Sequence, residues 1–198
     1  MFIQIVIAGI LLLILVNLIL NLIYLKSPSL DSKMPKNAPM VSVLIPARNE
    51  EDKIAQCLET LLRQDYLAYE ILVLDDESTD STAGIVKQFA AKDNRLRIIS
   101  GLPLPDGWSG KNYACHQLAE EAKGEWLLFV DADTTHAPNM LSSVMSLALQ
   151  MNISLLSGFP RQIADSPVMK IFTPTWYFIL MTWCPLWWMQ QSKILCHL

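Results

Sequence analysis

The chain has 198 residues, enough for one ordinary domain and a membrane segment, and 52% of them are hydrophobic, above the usual globular share. Its formal net charge of −4, with no long basic stretch, excludes an electrostatic footprint for nucleic acid. Cys57, Cys115, Cys184 and Cys196 form no C-x-x-C pair and no metal-ligand spacing, so they read as reduced, packed thiols.

Residues 1–25 contain no Lys, Arg, Asp or Glu and only Gln4, Asn17 and Asn21 as strongly polar interruptions. That length spans a bilayer as a helix. A secretory signal peptide would have a basic start, a shorter apolar core and a small-residue cleavage site, so an uncleaved single-pass anchor in the cell membrane is expected. Lys26, Lys33 and Lys36 follow the segment and no basic side chain precedes it, which places the rest of the chain in the cytoplasm. Residues 26–40, rich in Ser, Pro, Lys and Asn, read as a linker.

A soluble α/β domain is expected over 41–165. Residues 41–45, 70–74, 96–100 and 126–130 are short runs of β-branched or large apolar side chains and read as four strands. Their starts fall 26 to 30 residues apart, and the segments between them carry helical patterns, which implies βαβ units and a mostly parallel sheet. The first helix is expected from Ile54, Leu58, Leu61 and Leu62, with Asn49 as its N-cap. The second shows Ile85, Val86 and Phe89, with Asp76, Ser78 or Thr79 as candidate caps. The third shows Ala114, Leu118 and Ala122 ahead of Gly124 as a stop. From 166 to 198 aromatic residues crowd a stretch with few charges, interrupted by Pro174 and Pro185. A membrane-interface helix pair is expected there, with a buried core helix as the alternative.

In a parallel α/β sheet, ligands gather beyond the carboxyl ends of the strands. The residues there are polar and acidic: Pro46-Ala47-Arg48-Asn49-Glu50-Glu51, Asp75-Asp76-Glu77-Ser78 and Asp131-Ala132-Asp133. Asp131 and Asp133, two apart, project alike on an extended backbone and can share one hard divalent cation; Asp-x-Asp is also a common turn composition. Asp75 stands at a strand end, where a carboxylate can accept from a base N–H or from ribose hydroxyls. Arg48 lies close to the sheet rim. Lys111 opens the third helix, where its charge and the helix N-terminus can both face phosphate. His116 and His136 have no metal-ligand spacing and read as surface or packing residues.

The ordered blocks VSVLIPARNEE, EILVLDDESTDST and GKNYACHQLAEEAKGEWLLFVDAD resemble the first half of the family-2 glycosyltransferases, which have a GT-A fold. The resemblance covers residues 41–160, and DGWSGKNYAC is similar to the membrane-associated branch acting on carotenoid or hopanoid lipids. It implies a Rossmann-like sheet with flanking helices. It also implies a nucleotide-sugar donor, UDP-linked, surrounded by Pro46, Ala47, Arg48, Glu50, Asp75, Asp76 and Lys111. Asp131 would approach ribose or metal, and Asp133 would bind Mg2+ or Mn2+ bridging the diphosphate. The implied reaction is inverting transfer to an acceptor hydroxyl, deprotonated by a carboxylate base, with a lipid acceptor suggested by the anchor and the aromatic tail.

Family members continue through an acceptor-binding half that supplies the catalytic carboxylate. After Asp133 the only acidic residue here is Asp165, beside Ser166 and Pro167 in an expected turn, so the general base is expected to be absent from this chain. Truncation and weak autonomous transfer are therefore expected. Two alternatives stand beside the transferase. One is a catalytically inactive, membrane-tethered nucleotide-sugar-binding module. The other reads Asp131-Ala132-Asp133-Thr134-Thr135 as the D-x-D-x-T signature of haloacid-dehalogenase-type phosphatases. No G-x-G-x-x-G follows the first strand and no G-x-x-x-x-G-K-[ST] occurs, which removes dinucleotide oxidoreductases and P-loop NTPases.

Overall fold

In a computed structural model of the chain, residues 1–25, 38–158, 161–163 and 166–191 are described. Lys26, Lys33, Lys36, Asp165, Cys196 and most of the expected linker lie outside them. The chain divides into two compact units, one of Ser29–Leu147 and one of Met1–Pro28 with Ala148–Leu198.

The first unit is built on four parallel strands: β1 (Val41–Ala47), β2 (Tyr69–Asp75), β3 (Leu96–Ser100) and β4 (Trp126–Phe129). Their order is β3-β2-β1-β4. Around them lie α2 (Ile54–Leu62), α3 (Thr82–Ala90), α4 (Gly110–Glu121) and α5 (Met140–Met151), after the N-terminal helix α1 (Phe2–Tyr24). The expected α/β class and parallel sheet are therefore present. β1 and β2 are buried nearly throughout because helices cover both their faces, which is why they read as unbroken apolar runs rather than alternating ones.

On one face Val43, Ile45, Ile71 and Val73 pack with Ile54, Leu58 and Leu61 of α2, Val86 of α3, and Leu141 and Met145 of α5. On the other, Leu44, Leu72 and Leu74 meet Ala114 and Leu118 of α4. β4 is an edge strand, and its Leu127 and Phe129 remain exposed. Helix α5 is absent from the sequence reading, although Leu141, Met145 and Ala148 fall at helical spacing and are buried.

Several local expectations change. Asn49 is not the N-cap of α2: that helix starts at Ile54, and Asn49 sits at φ 55° with its side chain turned to the loop after β2. Nor do Asp76, Ser78 or Thr79 cap α3. Asp80 does that work, its carboxylate accepting from the Thr82 N–H at 2.9 Å and the Thr82 hydroxyl at 2.6 Å. Gly124 lies beyond the end of α4, at Glu121, and is small for a different reason: a Cβ there would come 2.5 Å from the Ser42 backbone nitrogen. β4 ends at Phe129, one residue short of the expected strand.

The Gly124 approach belongs to a buried polar tie. Glu70 accepts from the Ser42 hydroxyl at 2.7 Å and the Lys123 N–H at 2.7 Å, while Ser42 accepts from the Gly124 N–H at 2.8 Å. Arg97 closes on Glu70 at 3.3 Å. Together they bind the chain entering β4 to β1 and β2. Burial alone would raise the Glu70 pKa; the bonds from Ser42, Lys123 and Arg97 outweigh it and leave the carboxyl below its ordinary value.

In the second unit α1 is joined by α6 (Pro167–Trp183) and α7 (Leu186–Gln191). Ser166 caps α6, accepting from the Met169 N–H at 3.2 Å. Pro174 lies inside α6 and does not interrupt it, contrary to expectation, whereas Pro185 separates α6 from α7. Ile171, Phe172, Trp176 and Trp183 of α6 are all exposed.

Glu70→Ala strands the Ser42 hydroxyl and the Lys123 N–H, and should lower unfolding stability by about 2–4 kcal/mol in urea titrations of the detergent-solubilised chain. Because the folded Glu70 pKa is depressed, its contribution is present above the ordinary value of 4.5 and is lost as pH falls through the lower folded value. The wild-type chain should lose stability over that acid window more steeply than the variant.

Candidate functional site

The strand order creates the site. From β1 to β2 to β3 the chain moves one way across the sheet; α4 then carries it back over the opposite face to place β4 on the other side of β1. Strand order reverses between β1 and β4: α2 leaves β1 over one face while α4 reaches β4 over the other, and the cleft lies at the carboxyl ends beside this switch. Even-numbered residues of β1 bond toward β4, as the Val130 N–H to Leu44 O bond shows. The β1–β4 pairing ends at Leu44–Phe129, so Pro46, which has no N–H, stands where the ladder has already parted.

The cleft at this point has a volume of about 380 Å3 and is lined by Pro46, Ala47, Arg48, Glu50, Asp76, Gly110, Lys111, Ala114, Asp131, Ala132 and Asp133. The site residues expected from sequence line it, with the exception of Asp75. That side chain lies at the end of β2, half-buried, and its Oδ1 is buried without a hydrogen-bond partner. The lining role of Gly110, Ala114 and Ala132 has no signature in the sequence, because they contribute small size and backbone.

The loop after β1 is laced to the loop after β2. The Asn49 N–H donates to the Ser78 hydroxyl at 3.0 Å, and the Asn49 amide oxygen accepts from the Thr79 N–H at 2.8 Å. The Glu50 N–H donates to the Thr82 hydroxyl at 2.8 Å, and Glu51 accepts from the Ser81 N–H at 2.9 Å. Arg48 and Asp76 face each other across the same gap at 3.6 Å. The lacing holds the Pro46 to Glu50 turn as one wall of the cleft.

The opposite wall is the acidic triplet, and its backbone is not extended as the pairing of Asp131 and Asp133 had assumed. It turns: the Asp131 carbonyl accepts from the Thr134 N–H at 3.2 Å and the Thr134 hydroxyl at 2.6 Å. Ala132 is tucked into the core while both carboxylates stay exposed. They reach the cleft together because the turn buries the small residue between them. The buried Cys57 thiol lies behind the turn, 3.8 Å from the Asp131 carbonyl, and burial pushes its pKa up to about 11, which makes it an inert packing group. His136 meets the Thr134 hydroxyl at 3.0 Å and its pKa is lowered by burial, which agrees with a packing role.

Lys111, at the start of α4, donates to Asp131 Oδ1 at 2.6 Å. That hydrogen bond raises its pKa, and both partners are more than half exposed. The ammonium thus holds one carboxylate of the pair. Among the described residues no group of three His, Cys, Asp or Glu side chains converges as a metal cage. Two hard oxygen donors do fit a cation that takes its other ligands from substrate phosphate and water. Asp131 follows the fourth strand of the sheet and not the first, so the D-x-D-x-T phosphatase arrangement has no counterpart here.

Residues 42–184 match the family described as Glycosyl transferase family 2. The 4,4'-diaponeurosporenoate glycosyltransferase of Staphylococcus haemolyticus is 34% identical over 131 residues, covering 64% of this chain and 33% of that protein. The UDP-Glc:alpha-D-GlcNAc-diphosphoundecaprenol beta-1,3-glucosyltransferase WfgD of Escherichia coli is 30% identical over 133 residues, covering 67% of this chain and 50% of that protein. The chain thus spans a third to a half of the length of these relatives. Among solved structures, the mannosyltransferase PcManGT from Pyrobaculum calidifontis, in complex with GDP-Man and Mn2+, superposes with a TM-score of 0.63 at 24% identity. That match covers 78% of this chain and 45% of that one, and it shows the shared fold.

Lys111→Met removes the cation that holds Asp131. Free Mn2+ measured by electron paramagnetic resonance in the absence of nucleotide should report binding tighter by on the order of fivefold, the effect of one unit charge a few ångströms away in a solvated site. Unchanged or weaker Mn2+ binding would mean that the lysine does not compete with a cation there.

Proposed function

The chain belongs to glycosyl transferase family 2, and on that premise we propose that the cleft at the β1/β4 switch binds a UDP-linked sugar for transfer to a lipid acceptor. The observation that carries this reading is the meeting of the Pro46 to Glu50 turn, Lys111 and the two exposed carboxylates in one cleft. Asp75, whose buried Oδ1 lacks a partner, takes the N–H of the pyrimidine base. Arg48, Glu50 and Asp76 surround the nucleoside, with the backbone of Pro46 and Ala47 beneath it. Lys111, freed from Asp131, swings to the diphosphate at the N-terminus of α4, where unpaired backbone N–H groups add to its field.

Asp131 and Asp133 are the residues that would hold Mg2+ or Mn2+, and such an ion supplies charge neutralisation of the leaving diphosphate. The acceptor hydroxyl oxygen forms a bond to the anomeric carbon as the bond to the diphosphate oxygen breaks on the opposite side, so the reaction inverts configuration. Its proton passes to a carboxylate base. Glu50, Asp76, Asp131 and Asp133 are engaged with donor in this reading, so the base lies outside the cleft and transfer by this chain alone is weak. The names of the diaponeurosporenoate and diphosphoundecaprenol transferases support a lipid acceptor. Helix α1, 23 residues long with only Gln4, Asn17 and Asn21 strongly polar, supports a membrane anchor, and the lysines after it support a cytoplasmic cleft.

Calorimetric titration with UDP-glucose in the presence of Mg2+ should give binding that Asp133→Ala weakens at least tenfold, or about 1.4 kcal/mol, and that chelation of the metal weakens equally. Asp75→Asn should weaken UDP, while leaving Mn2+ binding intact. Saturable binding without sugar transfer would favour the inactive binding module, and metal-independent binding unaffected by either substitution would overturn the site.

A further inference from the structure

Asn17 and Asn21 stand out in α1 because they interrupt an otherwise apolar helix, and the reading of the donor site leaves them without a task. Both face the break between α6 and α7. Pro185 has no N–H, so the carbonyl of Met181, four residues earlier, cannot receive its helical bond. The Leu186 N–H turns to the Cys184 carbonyl instead, which strands that of Thr182 as well. The Asn21 amide donates to Met181 O and to Cys184 O, each at 2.7 Å, and the Asn17 amide donates to Thr182 O at 2.9 Å.

The same two side chains serve the start of α7. Asn21 Oδ1 accepts from the Trp187 N–H at 2.9 Å, and Asn17 Oδ1 accepts from the Trp187 indole Nε1 at 3.0 Å. Asn21 is buried within the unit. The hydroxyls of α6 are satisfied within the helix: that of the exposed Thr175 donates to Ile171 O, and that of the buried Thr182 to Phe178 O. Facing outward are Val168, Ile171, Phe172, Trp176, Phe178 and Trp183 of α6, all more than half exposed, and α1 likewise exposes large apolar side chains. Over residues 166–191 the only charged residue is Lys170, in the first turn of α6.

Polar groups paired internally around a helix break, with an apolar exterior, are what a solvent without hydrogen-bonding capacity imposes. We infer that α6 and α7 are embedded in the lipid bilayer beside α1, as a broken helix whose opened backbone at Pro185 is closed by Asn17 and Asn21. The occupant of the outward face is lipid hydrocarbon. Asn17 and Asn21 lie within about 10 Å of the Tyr24 end of α1, taking 1.5 Å per residue. That puts the break at the depth where Trp183, Trp187 and Trp188 find an interface. The anchor therefore comprises three helices rather than a single span. This inference rests on the proposal that α1 enters the membrane.

The full chain is reconstituted into phosphatidylcholine vesicles with or without brominated acyl chains. Helix α1 contains no tryptophan, whereas four of the six tryptophans of the chain lie in α6 and α7. Bromination should therefore quench at least about half the tryptophan emission if these helices contact hydrocarbon. Resistance to alkaline carbonate extraction reads α1 insertion separately. Extractable protein would defeat the anchor itself; resistant protein with unquenched tryptophans would defeat only the embedding of α6 and α7, and would point to another protein surface on that face. In the Asn17→Leu/Asn21→Leu variant, carbonate resistance should persist while backbone amides over 182–188 exchange with deuterium about tenfold faster. Unchanged exchange would overturn the role of the two asparagines.

Discussion

The reversal of strand order between β1 and β4 is the constraint on which the site depends. A parallel sheet wound in one direction would carry its helices in sequence along one face and leave no crevice. Here α4 crosses the face opposite α2 and α3, so β1 and β4 become neighbours and the loops that follow them wall one cleft. Pro46 stands two residues beyond the last β1–β4 pair. Nothing in the cleft is held by a single element: one wall descends from β1, the opposite wall from β4, and Lys111 comes from the helix that made the crossing possible.

The unliganded charges of the cleft are partly neutralised from within. Lys111 rests on Asp131, Arg48 faces Asp76, and the two loops beneath are joined by backbone-to-side-chain bonds from Asn49, Glu50 and Glu51. Such short polar side chains, bonded to backbone groups of a neighbouring loop, order a surface that has no apolar core of its own. The exposed ion pairs contribute little to stability, being screened by water. In the proposed donor site the cationic and anionic partners would be redistributed onto a diphosphate and its counterion.

The helical unit obeys a different rule. In the sheet unit polar side chains tie loops at the surface and Glu70 anchors a buried junction; in the unit of α1, α6 and α7 the two asparagines turn toward the helix break and large apolar side chains turn out. Asn17 and Asn21 appear in sequence as blemishes on an apolar helix, and become intelligible only with the carbonyls that Pro185 leaves open.

The amino-acid sequence by itself determined the strands, the parallel winding and the apolar N-terminal helix, because periodicity and spacing depend on local chain geometry. The ordered blocks carried the family, and the polar strand ends carried most of the cleft residues. Tertiary structure alone decided that Asn49 laces loops rather than capping a helix, and that the Asp131 to Asp133 triplet turns instead of running straight. It likewise decided that Asp80 caps α3, that Asp75 sits apart with a buried oxygen, and that Asn17 and Asn21 meet Pro185 more than 160 residues away. The reason is the same in each case. A hydrogen-bonding side chain has local and distant partners of similar strength, and only the packed fold determines which of them is within reach.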